Sequence, residues 1–145
     1  MFQDKVVVIT GGAGGIGKCI AEEFTKEGAK VCIIDAAPGD HYVGDIGDKA
    51  TLEAFAAEVI EQYGRVDVLV NNAPPLFIGI EQCSYEQFQR SLNIGVTAAF
   101  YLTKLFLPYF APGASILNLS SSRDRMSQPQ SESYTAAKGG IAALT

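Results

Sequence analysis

Tyr134-Thr-Ala-Ala-Lys138 sets a phenol and an ammonium four residues apart, on one face of a helix if that stretch is helical. An ammonium so placed stabilises a phenolate, although the same spacing also occurs on ordinary solvated helix faces. Ser121 lies thirteen residues earlier, in Asn118-Leu-Ser-Ser121. A different chemistry is written near the N-terminus, where Val6-Val-Val-Ile-Thr10 breaks into Gly11-Gly-Ala-Gly-Gly-Ile-Gly17 and then into Lys18-Cys-Ile-Ala-Glu-Glu-Phe24. Gly12, Gly14 and Gly17 fit G-x-G-x-x-G, which signals nucleotide binding only where a strand precedes it and a helix follows. The first N–H groups of a helix lack partners, its dipole is positive there, and glycines let an anion approach the backbone. A dinucleotide pyrophosphate is the expected guest.

Asp35 closes the next apolar run, Lys30-Val-Cys-Ile-Ile-Asp35. An acid about 20 residues past the glycine loop is placed to accept hydrogen bonds from the ribose hydroxyls of NAD. It would repel a 2′-phosphate, and Ala13, Gly14, Ala36 and Ala37 supply no Arg or Lys for one, so NAD is expected over NADP. The competing reading is a solvated acid at a strand end.

These groups must be held by alternating strands and helices. The first helix carries Ile16, Ile20 and Phe24 at helical spacing and ends near Gly28, a natural residue for the turn after a helix. Only Ala36-Ala-Pro-Gly-Asp40 separates the second strand from His41-Tyr-Val43, whereas parallel neighbours normally need a crossover of about a dozen residues. An uncovered patch of sheet, a short or missing third strand, or lost residues would each account for this. Asp48 caps a helix from Lys49 to Tyr63 that ends at Gly64, and Val66-Asp-Val-Leu-Val-Asn71 is a fourth strand. Ser84 and Gln87 form a capping box opening a long helix toward Leu107, stopped by Pro108. An Ala111-Pro-Gly113 turn then leads to a strand over Ser115–Leu119, a polar loop, and a helix starting at Tyr134. The expectation is one α/β domain over residues 1–145 with a doubly wound, Rossmann-like parallel sheet and a ligand crevice at the carboxyl ends of its strands.

Composition narrows the partners. The 145 residues are 48% hydrophobic, with a net charge of −5 and no basic cluster, which argues against nucleic acid or an anionic membrane. No run approaches the roughly 18 apolar residues of a membrane span, and no secretory leader is evident, so a cytoplasmic protein is expected. Cys19, Cys32 and Cys83 are odd in number and lack metal-ligand spacing, and His41 is the only histidine. Neither a metal site nor a disulfide is expected, and Cys19 and Cys32 read as small core hydrophobes.

Taken together, the sequence resembles the short-chain dehydrogenase/reductases from residue 5 to its end. The resemblance rests on Thr10-Gly11 through Gly15 and Gly17, Asp35, Gly44-Asp45-Ile46, Asn71-Asn72-Ala73, Asn93, Ser121, and Tyr134 with Lys138. It implies an NAD-dependent oxidoreductase acting on a small-molecule alcohol or ketone. Within it Tyr134 is the general acid/base, Lys138 its electrostatic partner and a ribose ligand, Ser121 the group polarising the substrate oxygen, and Asn93 the holder of a relay water. It further implies cofactor contacts from Thr10, Gly11, Gly12, Gly15, Ile16 and Gly17, from Asp45 and Ile46 at the adenine, and from Asn71 and Ala73. The whole protein would be a homodimer or homotetramer. A phenol ionises near pH 10 and a base works best near the operating pH, so the phenolate needs stabilising by several units at about 1.4 kcal/mol each. Asn93 has the alternative of bonding backbone within its helix.

Departures from the family pattern are Pro74 in place of the usual glycine after Asn71-Asn72-Ala73, the short second crossover, and an end inside the helix that carries Tyr134. Gly139–Thr145 offers an apolar helix face with nothing left to bury it, so the expectation is a chain truncated at its C-terminus. A non-catalytic dinucleotide-binding module is the alternative function.

Overall fold

The computed structural model describes all 145 residues. Strand β1 (Val6–Thr10) is followed by helix α1 (Gly15–Lys26), β2 (Lys30–Asp35), β3 (Tyr42–Val43), α2 (Lys49–Tyr63) and β4 (Val66–Asn71). Next come α3 (Tyr85–Leu92), a π-helical turn (Asn93–Thr97), α4 (Ala98–Phe106), β5 (Phe110–Asn118) and α5 (Glu132–Leu144). All five strands are parallel, in the order β3-β2-β1-β4-β5. That is the doubly wound Rossmann-like sheet.

β1 is central and buried along its whole length, as a continuous Val/Ile run requires. Because side chains alternate along a strand, Val6 and Val8 join a core with Phe55, Leu102 and Phe106 under α2 and α4, while Val7 and Ile9 face α1. Asp67 is the one carboxylate in this core layer. It is buried, and it accepts hydrogen bonds from the Val6 N–H (3.0 Å), Lys5 Nζ (3.1 Å), and Arg65 Nε and Nη2 (3.0 and 2.5 Å). Burial pushes its pKa up, but these bonds and the two cations outweigh that and hold it below the usual carboxylate range. The amino ends of β1 and β4 are thereby fastened together.

Helix ends follow their local signals. Gly28 (φ +83°) bonds its N–H to Thr25 O while Ala29 N–H reaches Phe24 O, a Schellman closure of α1. Asp48 accepts from Thr51 N–H at 2.8 Å, Gly64 (φ +65°) ends α2, and both bonds of the Ser84–Gln87 capping box form.

Several elements differ from the sequence reading. The third strand exists but has two residues, and Ala36–His41 crosses to it with no helix, leaving Val31–Ile33 of β2 unpaired on that side. The long helix toward Leu107 is interrupted by the π turn, which spaces Asn93–Thr97 more loosely than an α-helix. Ala111–Gly113 lies within β5: Val66 pairs with Phe110 and Val68 with Ser115, so the extra residues loop out as a bulge with Gly113 at φ +79°. α5 begins at Glu132, and α1 begins at Gly15, inside the glycine run. α1 buries Gly17 and Ala21, so Ile16 is 67% exposed and Cys19 is exposed rather than in the core; Cys32 is half-buried. No helix is long and apolar enough to cross a membrane.

Candidate active site

The carboxyl ends of the strands open onto a cleft of about 630 Å³. The glycine turn supplies Gly11, Ala13, Gly14, Gly15 and Ile16 to its lining; Asp35–Ala37 and Gly44–Ile46 supply a second part; Asn72–Pro74, Leu119, Ser120, Tyr134 and Lys138 supply a third. The strand order reverses beside β1, which is where a doubly wound sheet leaves such a crevice.

The turn is shaped for a ligand. Gly11 (φ +67°) passes its N–H to Ile34 O at 2.8 Å, and a Cβ on Gly17 would sit 2.1 Å from Gly11 O, so helix and strand ends are pressed together. Around Gly14 and Gly15 a Cβ would meet nothing within 4 Å. Gly14 gives α1 no side-chain cap, which leaves the first-turn N–H groups open toward that space. This is the geometry a pyrophosphate requires. Asp35 stands beside it, accepting from Ala13 N–H (3.0 Å) and Ala37 N–H (2.9 Å), with two of its four lone-pair sites to spare.

Other expected contacts lie behind this wall. Thr10 is buried, and its Oγ1 accepts from the N–H groups of Asn72 and Ala73, each at 3.1 Å. Asn72 Nδ2 returns bonds to Thr10 O (3.0 Å) and Gly11 O (2.9 Å), so the ends of β1 and β4 are laced together. Gly12 backs onto Ile33, and Gly17 is buried in α1. Asn71 bonds Asn118 across to β5 at 2.8 Å, and its Oδ1 is buried without a partner. With Thr10, Gly95 and Lys138 it borders a void of about 10 Å³, room for about one water.

On α5, Tyr134 and Lys138 both reach the cleft. Lys138 is buried, donates from Nζ to Leu119 O, and lies 5.6 Å from the Tyr134 ring centroid. Burial pushes its pKa down. Ser120 faces the cleft, whereas Ser121 accepts from Arg123 N–H at 3.2 Å to cap a short 3₁₀ turn. Asn93 does not line the cleft. The π turn brings Gly95 to α5 instead: a Cβ there would fall 2.7 Å from Ala137 Cβ and 2.9 Å from Pro75 Cβ. The expectation that Asn93 holds a relay water therefore finds no supporting geometry.

Some residues in or beside the cleft carry no sequence motif. Phe77 meets the Tyr134 ring at 5.3 Å with the two rings tilted by 45°, and receives the Arg123 guanidinium at 4.8 Å. Buried Ser133 fixes that loop, donating to Leu76 O (2.8 Å) and accepting from Ile78 N–H (2.9 Å). Arg90 and Ile94 line the cleft from α3 and the π turn, with Arg90 paired to Asp45.

The family model described as short chain dehydrogenase matches residues 5–145. The chain belongs to the short-chain dehydrogenase/reductase family. Among its relatives, an uncharacterized oxidoreductase of Bacillus subtilis (strain 168) is 32% identical over 99% of this chain and 57% of its own length. L-fucose dehydrogenase of Mus musculus is 32% identical over 99% of this chain and 58% of its own. Among solved structures, an apo SCOR enzyme from Clostridium thermocellum superposes with a TM-score of 0.90 at 38% identity, covering 98% of this chain and 64% of that one. Ligand-free aldohexose dehydrogenase of Thermoplasma acidophilum gives 0.89 at 31% identity, covering 99% and 59%. The chain thus spans about three-fifths of the length of these short-chain dehydrogenases. The Bacillus alignment runs over 163 positions, more than this chain's 145 residues, so the relative holds residues that this chain lacks within the matched stretch.

Proposed function

We propose that this chain carries the cofactor site and acid/base pair of an NAD(H)-dependent oxidoreductase that interconverts an alcohol and a ketone. One observation carries the reading: the glycine turn, Asp35 and the Tyr134–Lys138 pair share a single cleft. The residues fit a dinucleotide, with open first-turn amides for the pyrophosphate and Asp35 for a ribose diol. Asp35 has no cation beside it for a 2′-phosphate, since the flanking residues are Ala13, Ala36 and Ala37. The two basic residues of the lining, Arg90 and Lys138, are engaged with Asp45 and Leu119 O. NAD is therefore favoured over NADP.

The nicotinamide, when bound, takes or gives the hydride. The chain's part is the proton. In oxidation the Tyr134 phenolate accepts it from the carbinol oxygen; in reduction the phenol returns it. The Lys138 ammonium, held close by its bond to Leu119 O, stabilises the phenolate and is within reach of a ribose. Ser121, whose Oγ accepts from Arg123 N–H, keeps its hydroxyl hydrogen free to donate to the substrate oxygen. Two relatives are named for sugars, L-fucose and aldohexose, and the polar Gln128–Ser133 loop suits a polyol better than an apolar alcohol.

The test is hydride transfer from a panel of sugars and polyols to NAD, with Tyr134→Phe alongside. Turnover that falls at least 100-fold in the variant while NADH affinity is kept supports the reading. Turnover that survives Tyr134→Phe contradicts it. A second reading, dinucleotide binding without turnover, would be selected by tight NADH binding with no hydride transfer.

A further inference from the structure

β3 is the least supported strand of the sheet. It pairs with β2 only at Ile34–Tyr42 and Asp35–Val43, and no helix covers the crossover to it. The segment that follows still has to form cleft wall through Gly44, Asp45 and Ile46. Its backbone bonds are local, from Gly44 N–H to Asp35 O and from Asp48 N–H to Asp45 O.

Ile46 anchors the segment in the main core, and its polar tie to the rest of the cleft is a side chain. Arg90 Nη1 donates to Asp45 Oδ2 at 2.7 Å, joining α3 to the β3–α2 segment, and Asp45 Oδ1 accepts from Gly47 N–H at 2.9 Å. Burial raises the Asp45 pKa, but Arg90 and the Gly47 amide outweigh it and keep the carboxyl ionised below its usual range. Both partners are partly exposed, Arg90 by 50% and Asp45 by 37%, and both line the cleft. An ion pair that exposed adds little to stability, so its position calls for another use. A carboxylate has about four acceptor sites, and these two bonds fill two while fixing its direction. Ile46 and Ile94, also in the lining, offer apolar surface beside it for a flat ring.

We infer that Arg90 is a positioning residue for the base of a bound adenine nucleotide. The family resemblance already sets Asp45 at the adenine; what is new is that Arg90 holds the Asp45 carboxylate and its segment in place to accept a hydrogen bond from the exocyclic amine. The inference rests on the dinucleotide reading above and adds to it a residue that no motif marks.

The full chain, Arg90→Met and Arg90→Lys are titrated with NADH and with its hypoxanthine analogue, whose base has a carbonyl in place of the amine, and melting is followed in parallel. The wild type prefers NADH by roughly tenfold, the worth of one hydrogen bond to a charged group. Arg90→Met binds NADH roughly five- to tenfold more weakly and loses most of that preference, Arg90→Lys recovers part of both, and melting moves by less than about 3 °C. An Arg90→Met variant that keeps the wild-type preference overturns the inference and leaves the dinucleotide site standing. So does equal loss of both ligands with a large fall in melting temperature, which marks a merely structural residue. A wild type that binds neither dinucleotide overturns the underlying reading as well.

Discussion

The two faces of the sheet are closed very differently. On one, α2 and α4 cover a thirteen-residue buried cluster that includes Phe55, Leu102 and Phe106. On the other, α1 alone covers a five-residue cluster of Val7, Ile9, Ala21, Val68 and Val70, with Ile20 and Phe24 only partly buried against it. Leu117 of β5, level with Val70 on that face, is 45% exposed. The thick face supplies most of the apolar burial, and the thin face carries the glycine turn. The two sides meet at the cleft, where the glycine turn comes from the thin face and Ile46 and Ile94 from the edge of the thick one.

Phenylalanine truncations break or sharpen this contrast most strongly. Phe106→Ala removes a fully buried ring and is expected to cost about 3–5 kcal/mol. Phe24→Ala, whose ring rests edge-on against Phe2 at 4.8 Å and is partly exposed, is expected to cost about 1–2 kcal/mol. Chemical denaturation of both variants checks this, and equal losses would mean that the faces contribute alike.

A smaller effect comes from Lys138. Burial lowers its pKa in the folded chain, so the unfolded chain binds more protons between that lowered value and the ordinary 10.5. Stability owed to this group therefore rises with pH across that window, and a penalty is present below it. Thermal melts from pH 8 to 10 should show a rise that Lys138→Met flattens. An identical slope in the variant would place the titration elsewhere.

The elements that could be read from sequence are those fixed by local chemistry. β1 is an unbroken β-branched run, α2 has an Asp cap and a closing glycine, and the Ser84–Gln87 box is complete within four residues. Misreadings fall where tertiary contact decides. The π turn depends on Gly95 fitting between Pro75 and Ala137, and the β5 bulge depends on register with β4. Ile16 is placed by helical period and Cys19 by the usual burial of a free cysteine, but α1 fully buries only Gly17 and Ala21 against the sheet. Asp67 did leave a trace, an acid beside Arg65 within an apolar strand, yet its meeting with Lys5 and Val6 is long-range.

The site divides in the same way. The glycine turn, Asp35, Tyr134 and Lys138 are each legible in the sequence as candidate groups, and they line one cleft. Arg90, Phe77 and Ser133 become site residues only because α3, the loop after β4 and α5 converge. Asn93, placed by motif, opens the π turn and is not among the residues that line the cleft.

The most direct measurement is equilibrium titration of the chain with NADH and NADPH, with Asp35→Ala in parallel. NADH binding at least tenfold tighter than NADPH, with the preference abolished in the variant, is the predicted result. NADPH binding as tightly as NADH, or no binding of either, would contradict an NAD site built on the glycine turn and Asp35.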